Sequence, residues 1–141
     1  MSNEYKDYQN DIREIFNEKM DEVNFLSMGW QESFVPYMMD EMFNTLGSYV
    51  EDFEVYQIKE KYGNLMIYHG WKDRKYTTEE LKDIDEINEE IYEIIKKYFR
   101  ISGHTCVSCG GKAVLLSKGW VLPFCENCYD RKLGVFGFIK D

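Results

Sequence analysis

The sequence predicts an α+β protein: a helical body that carries one β-hairpin and a long amphipathic helix, followed by a small cysteine-pinned C-terminal module. Three observations lead there. Apolar residues recur at helical spacing over 78–100. Two alternating runs rich in strand formers flank Tyr62-Gly63-Asn64. The chain's four cysteines all fall in its last third, as two C-x-x-C pairs. At 141 residues, 44% apolar and 16% aromatic, the chain can bury a core and is too apolar for a disordered one. The division expected is an acidic body over 1–102, with its hairpin at about 53–71 and long helix at about 78–100, and a ribbon-like module over 103–141.

Each element has its own signal. Residues 3–20 read as a helix, with Tyr5, Tyr8, Ile12, Ile15 and Phe16 on one stripe. Residues 21–33 read as an ordered connection whose aromatics, Phe25 and Trp30, dock on the core. Ser33 reads as the cap of a second helix with Pro36 in its first turn, running to about Tyr49. Met39, Met42, Phe43, Leu46 and Val50 face inward from it. The hairpin strands run from Phe53 to Ile58 and from Leu65 to Trp71. Thr77 and Glu80 form a capping box. The helix that follows carries Leu81, Ile84, Ile87, Ile91, Ile94, Ile95 and Tyr98 as its apolar stripe.

The opposite side of that helix holds Glu79, Asp83, Glu86, Glu90 and Glu93, spaced four, three, four and three. At about 100° per residue they form one acidic ridge, roughly 21 Å long. Two readings apply. A row of carboxylates can be a solvated face, or it can imitate a nucleic-acid backbone toward a partner with a basic groove. The formal net charge is −9 and is unevenly placed. Residues 1–100 carry 23 acidic against 12 basic residues; residues 101–141 carry 3 against 5. Such a body repels phosphate, so no direct nucleic-acid contact is expected.

Cys106 and Cys109 form the first pair, Cys125 and Cys128 the second, with fifteen residues between the pairs. This spacing is that of zinc sites. Two such turns complete the tetrahedral four-thiolate shell that zinc favours, here one structural Zn2+. Iron in the same cage and a pair of disulfides are the alternatives. Disulfides need an oxidising compartment, and the charged N-terminus lacks the apolar segment of a signal peptide. A cytoplasmic setting is therefore expected, and no apolar run approaches the length of a membrane span. Ala113–Leu116 and Trp120–Phe124 read as strands of a zinc ribbon turned by Ser117-Lys118-Gly119. Val135-Phe136-Gly137-Phe138-Ile139 is expected to pack back on the body, or to serve as a contact surface if exposed.

Gly29-Trp30, the hairpin segment Gln57-Ile58-Lys59-Glu60-Lys61-Tyr62-Gly63-Asn64-Leu65 ending at Tyr68, and Thr105-Cys106-Val107-Ser108-Cys109-Gly110 with the second Cys pair resemble a family of small uncharacterised bacterial and phage proteins. That family shares a Q-x-K-E-K-[FY]-G-x-L-R-F-Y hairpin and a C-terminal zinc-binding segment. The resemblance covers roughly residues 29–128, and Met66 stands where the family usually has Arg. In character the chain is also similar to phage-encoded inhibitors of bacterial defence, the anti-CRISPR proteins. The resemblance implies a non-enzymatic inhibitor that binds a nucleic-acid-handling nuclease in the host bacterial cytoplasm, a type II effector first among them.

No catalytic constellation stands out. The cysteines are committed to the cage, no Ser-His or His-Glu spacing appears, and Gly110-Gly111 belong to the first turn. The expectation is a binding protein and not an enzyme. Its alternative is a zinc-ribbon nucleic-acid-binding or transcription-related adaptor, with Lys118, Trp120, Arg131 and Lys132 as contacts.

Overall fold

The computed structural model describes residues 2–140, and side chains from residue 8 onward. Among them, four α-helices and two small antiparallel sheets make an α+β architecture. Helix α1 (Ser2–Lys19) turns Ile12 and Phe16 into the core, with Ile15 packed beside them. Tyr8 departs from the expected stripe and is exposed, lining a groove of about 260 Å³ with Ile12, Phe43 and Gly47. The Tyr5 side chain lies outside the described residues.

A 3₁₀ turn over Asp21–Phe25 follows. With three residues per turn, Val23 and Leu26 eclipse on one buried face and Phe25 is thrown to the other. Phe25, expected to dock on the core, is 88% exposed; Trp30 does dock and is fully buried. The end of the expected connection is itself a short helix, α2 (Met28–Ser33); the helix expected from Ser33 to about Tyr49 is α3 (Val35–Leu46), followed by a 3₁₀ turn over Gly47–Tyr49. Ser33 does not cap α3. Its hydroxyl donates back to the Gly29 carbonyl at 2.6 Å and closes α2, and Phe34 holds the capping position without a side-chain bond. Pro36 sits in the first turn of α3, where its missing N–H costs nothing.

Strands β1 (Phe53–Lys61) and β2 (Asn64–Trp71) pair from Phe53↔Trp71 to Lys61↔Asn64, with a bulge between Val55 and Gln57. Tyr62 and Gly63 both take positive φ, 53° and 88°. That two-residue turn matches the twist of the strands, so β1 extends through Lys61, three residues beyond the expected end. Helix α4 (Thr78–Gly103) starts with the expected capping box: Glu80 N–H donates to Thr77 Oγ1 at 3.1 Å and Thr77 N–H to Glu80 Oε1 at 2.8 Å. Ile84, Ile91 and Tyr98 are buried, and Ile87, Ile94 and Ile95 pack beside the core. Leu81 is exposed against expectation. Trp71, the last residue of the hairpin, meets α4 about two turns further on, at Asn88 (Nε1 to Oδ1, 2.8 Å). The helix runs to Gly103 rather than Arg100 because Ser102 ties its last turn to β2: Leu65 N–H donates to Ser102 Oγ at 2.8 Å.

His69 on β2 lies against the Phe53 ring, and its Nδ1 is buried without a hydrogen-bond partner. Burial holds its pKa below the ordinary 6.5. The folded state therefore prefers neutral His69, while the unfolded chain takes up a proton once pH falls below about 6.5. That stability is present above the unfolded value and is lost as pH falls toward the folded one. Urea unfolding followed from pH 7.5 down to 5 should show His69→Phe losing less stability than the parent. Equal losses would assign the acid sensitivity to other groups.

Candidate metal centre

Past Gly103 the chain builds a three-stranded antiparallel sheet in the order β4 (Pro123–Phe124), β3 (Leu115–Ser117), β5 (Val135–Phe138). Strands β3 and β4 are shorter than expected. Ser117 Oγ donates to the Trp120 carbonyl at 2.7 Å and accepts from Leu122 N–H at 3.1 Å, so residues 118–122 loop out. The C-terminal apolar run does not return to the body. It becomes β5, held to β3 at both ends by Lys118 N–H to Gly134 O (3.2 Å) and Ile139 N–H to Val114 O (2.9 Å).

This sheet presents the two Cys turns. In the first, Gly110 N–H donates to the Cys106 carbonyl at 2.9 Å and Gly111 N–H to Cys109 Sγ at 3.3 Å. Gly110 has φ +80°, a conformation that favours glycine. In the second, Tyr129 N–H closes onto the Cys125 carbonyl at 3.1 Å. The sulfurs of Cys106, Cys109, Cys125 and Cys128 lie within 4.8 Å of one another, and none is disulfide-bonded. Cys109 and Cys125, from different turns, are 3.7 Å apart. Four sulfurs at about 2.3 Å from a tetrahedral centre would be about 3.8 Å apart. The cage therefore has the size of a four-thiolate metal site, and its residues can hold one ion.

The electrostatics suit a cation. Burial opposes ionisation of the Cys106 thiol, but the backbone N–H groups of Cys109, Cys125 and Ser108 outweigh it and bring its pKa down to about 7. The Cys128 thiol, a donor toward the Cys125 sulfur, is pushed up to about 12. Four sulfurs this close cannot all ionise by themselves, because each thiolate disfavours the next. A divalent cation removes that penalty and displaces the remaining protons.

The cage is seated on the body by backbone contact. Gly29 N–H donates to the Val107 carbonyl at 2.9 Å, and Trp30 Nε1 donates to the buried Thr105 carbonyl at 3.0 Å. A Cβ on Gly29 would strike the Cys106 carbonyl and stand 2.7 Å from the Val107 carbonyl; one on Gly110 would stand 2.7 Å from the Gly29 carbonyl. Val107 belongs to the same buried cluster as Trp30, Phe34 and Tyr98, and Leu122 and Phe124 pack against it. Composition alone did not assign this role to Gly29, Trp30 and Thr105. Their signal was the Gly-Trp pair in the family-like pattern. The exposed Trp120 (76%) was also placed without its partner: its Nε1 donates to Glu60 Oε1 at 2.6 Å, while Glu60 Oε2 accepts from Gly63 N–H at 2.7 Å. One carboxylate thus joins the ribbon loop to the hairpin tip.

All five ridge residues, Glu79, Asp83, Glu86, Glu90 and Glu93, are exposed on α4 and remote in sequence from the cage. Asp83 accepts a hydrogen bond from Tyr49 OH at 2.9 Å. Asp85 and Glu89 are exposed on the same helix, so its acidic surface is broader than five residues. Glu80 faces away from this use, paired with Arg74 at 3.0 Å. Among the described residues no helix is long and apolar enough to cross a membrane.

Fold and site together define an α+β protein whose C-terminal ribbon carries a four-cysteine cluster fit for a metal ion. Compared with known proteins, the chain matches no family model, no curated protein and no solved structure.

Proposed function

We propose that the chain is a non-enzymatic, zinc-stabilised binding protein that acts by protein–protein contact. The observation that carries this reading is the closed set of four sulfurs within 4.8 Å. Four thiolates fill the tetrahedral shell of zinc and leave no position for water or substrate, so the ion holds structure. The contact surface is the acidic ridge of α4, five exposed carboxylates on a rigid helix anchored by its capping box. Its partner is a protein with a basic groove. The phage-type resemblance makes a bacterial defence nuclease, a type II CRISPR effector first, the target class, with inhibition by occupation of a nucleic-acid channel in the host cytoplasm.

Purified protein mixed with such an effector should lower DNA cleavage and bind less tightly as salt rises. Charge reversal by Glu86→Lys, Glu90→Lys and Glu93→Lys together should weaken binding at least about tenfold, since like charges across an interface cost several kcal/mol. Unchanged inhibition by the triple variant would move the contact to another surface. A second reading has its own observation: Trp120 is exposed beside Lys118 on a zinc ribbon, an arrangement that can stack a base. Tight DNA binding by the protein alone at low salt, lost in Trp120→Ala, would favour that adaptor reading.

A further inference from the structure

Among the described residues, three of the four outer sheet edges meet a group from elsewhere in the chain. The hairpin register turns the Ile58 backbone to the outer edge of β1, where its N–H meets Glu22 Oε2 at 3.3 Å. On the same strand Lys19 Nζ caps the Phe53 carbonyl at 2.6 Å. The outer edge of β2 is met by α4 through Leu65 N–H and Ser102 Oγ. The outer edge of β4 is taken up by the first Cys turn: Val107 N–H donates to the Pro123 carbonyl at 3.0 Å, and Pro123 has no N–H to leave open. Proteins blunt strand edges in these ways because an open edge templates pairing with another chain.

The outer edge of β5 carries no such device among the described residues. Val135-Phe136-Gly137-Phe138-Ile139 contains no charge and no proline. Phe136 and Phe138 are 66% and 76% exposed. Gly137 adds an independent observation. Its φ is not in the left-handed region, and a Cβ there would meet nothing within 4 Å, so neither conformation nor packing within the chain calls for glycine.

We propose that β5 is a self-association edge, which pairs antiparallel with β5 of a second copy about a two-fold axis through Gly137. In that register Phe136 stands opposite Phe138 of the second copy and Phe138 opposite its Phe136. Two cross-strand aromatic pairs then flank a central glycine pair where the backbones approach. The result is a continuous six-stranded sheet. Charge favours this geometry, on the reading that the cage holds a divalent ion: residues 1–100 carry 23 acidic against 12 basic residues and repel another body, whereas residues 101–141 carry 3 against 5, and four thiolates with one divalent ion bring that module close to neutral. The strand is four residues long, which makes the dimer a weak one of the small-interface class.

Sedimentation velocity over about a hundredfold concentration range should show the mass rising from monomer to dimer. The double variant Phe136→Lys with Phe138→Lys should remain monomeric at every concentration, since lysine is the residue that blunts natural edges. Both positions are exposed, so circular dichroism and metal content should match the parent. Should the double variant misfold, Gly137→Lys in open space gives the same reading. A parent that stays monomeric throughout overturns the proposal. So does a charged variant that dimerises like the parent, which would place the contact elsewhere. A β5 edge bound only by a different protein would overturn it as well.

Discussion

Cys106→Ser should strip the chain of its metal and unfold the ribbon. Cys106 is the one fully buried ligand candidate, its thiolate is favoured by three backbone N–H groups, and serine supplies no comparable soft donor. Binding energy at a structural zinc site is folding energy, on the order of 10 kcal/mol in small zinc modules. Loss of one ligand should therefore cost at least about 4 kcal/mol, the range reserved for lost metals and broken buried networks. Hydrogen exchange should show amide protection lost over residues 103–140, with the loss reaching Val107's neighbours Trp30 and Phe34 in the shared core. A chelator applied to the parent should reproduce the pattern. Protection unchanged in both experiments would mean that the ribbon folds on its short strands alone.

Gly29→Ala should be nearly as damaging although it removes nothing. The added methyl would drive into the Cys106 carbonyl and the Val107 carbonyl group, both backbone and unable to rotate aside. Relief requires α2 to back away from the first Cys turn, which breaks the Gly29–Val107 and Trp30–Thr105 hydrogen bonds. Two lost bonds with a buried carbonyl left unpaired, plus overpacking, suggest a cost of about 3 kcal/mol. Thermal unfolding should start at the ribbon, and the metal should exchange with a chelator faster than in the parent. Gly137→Ala, measured at concentrations where the chain is monomeric, makes the control, since its methyl meets nothing within the chain. If Gly29→Ala melted like that control, α2 and the Cys turn would not be rigidly docked.

Much of this structure could be read from local chemistry. The capping box of α4, the hairpin about Tyr62-Gly63 and the two Cys turns are each encoded within a few residues, and each is found where spacing puts it. The misreadings share a cause. Phe25, Tyr8 and Leu81 are apolar at plausible spacing yet exposed: spacing says which residues share a face, not whether a neighbouring element covers them, and at Phe25 a 3₁₀ turn changes the spacing itself. Ser33 had the chemistry of a cap and used it on its own helix. The fate of β5 and the Glu60–Trp120 link depended on contacts between distant parts of the chain, which periodicity does not report. Among the site residues the four cysteines were legible because spacing is itself the signal. The seat beneath them was not, because a glycine that permits contact looks like any other glycine.

The most direct test of the central claim is elemental analysis of the purified, folded protein. About one zinc per chain is expected, bound by the four thiolates and released with proton uptake as the pH is lowered. Iron in equal stoichiometry would keep the cage and change the metal. A protein that is fully folded, free of any metal and indifferent to chelators would contradict the claim that a closed metal centre holds this ribbon on its body.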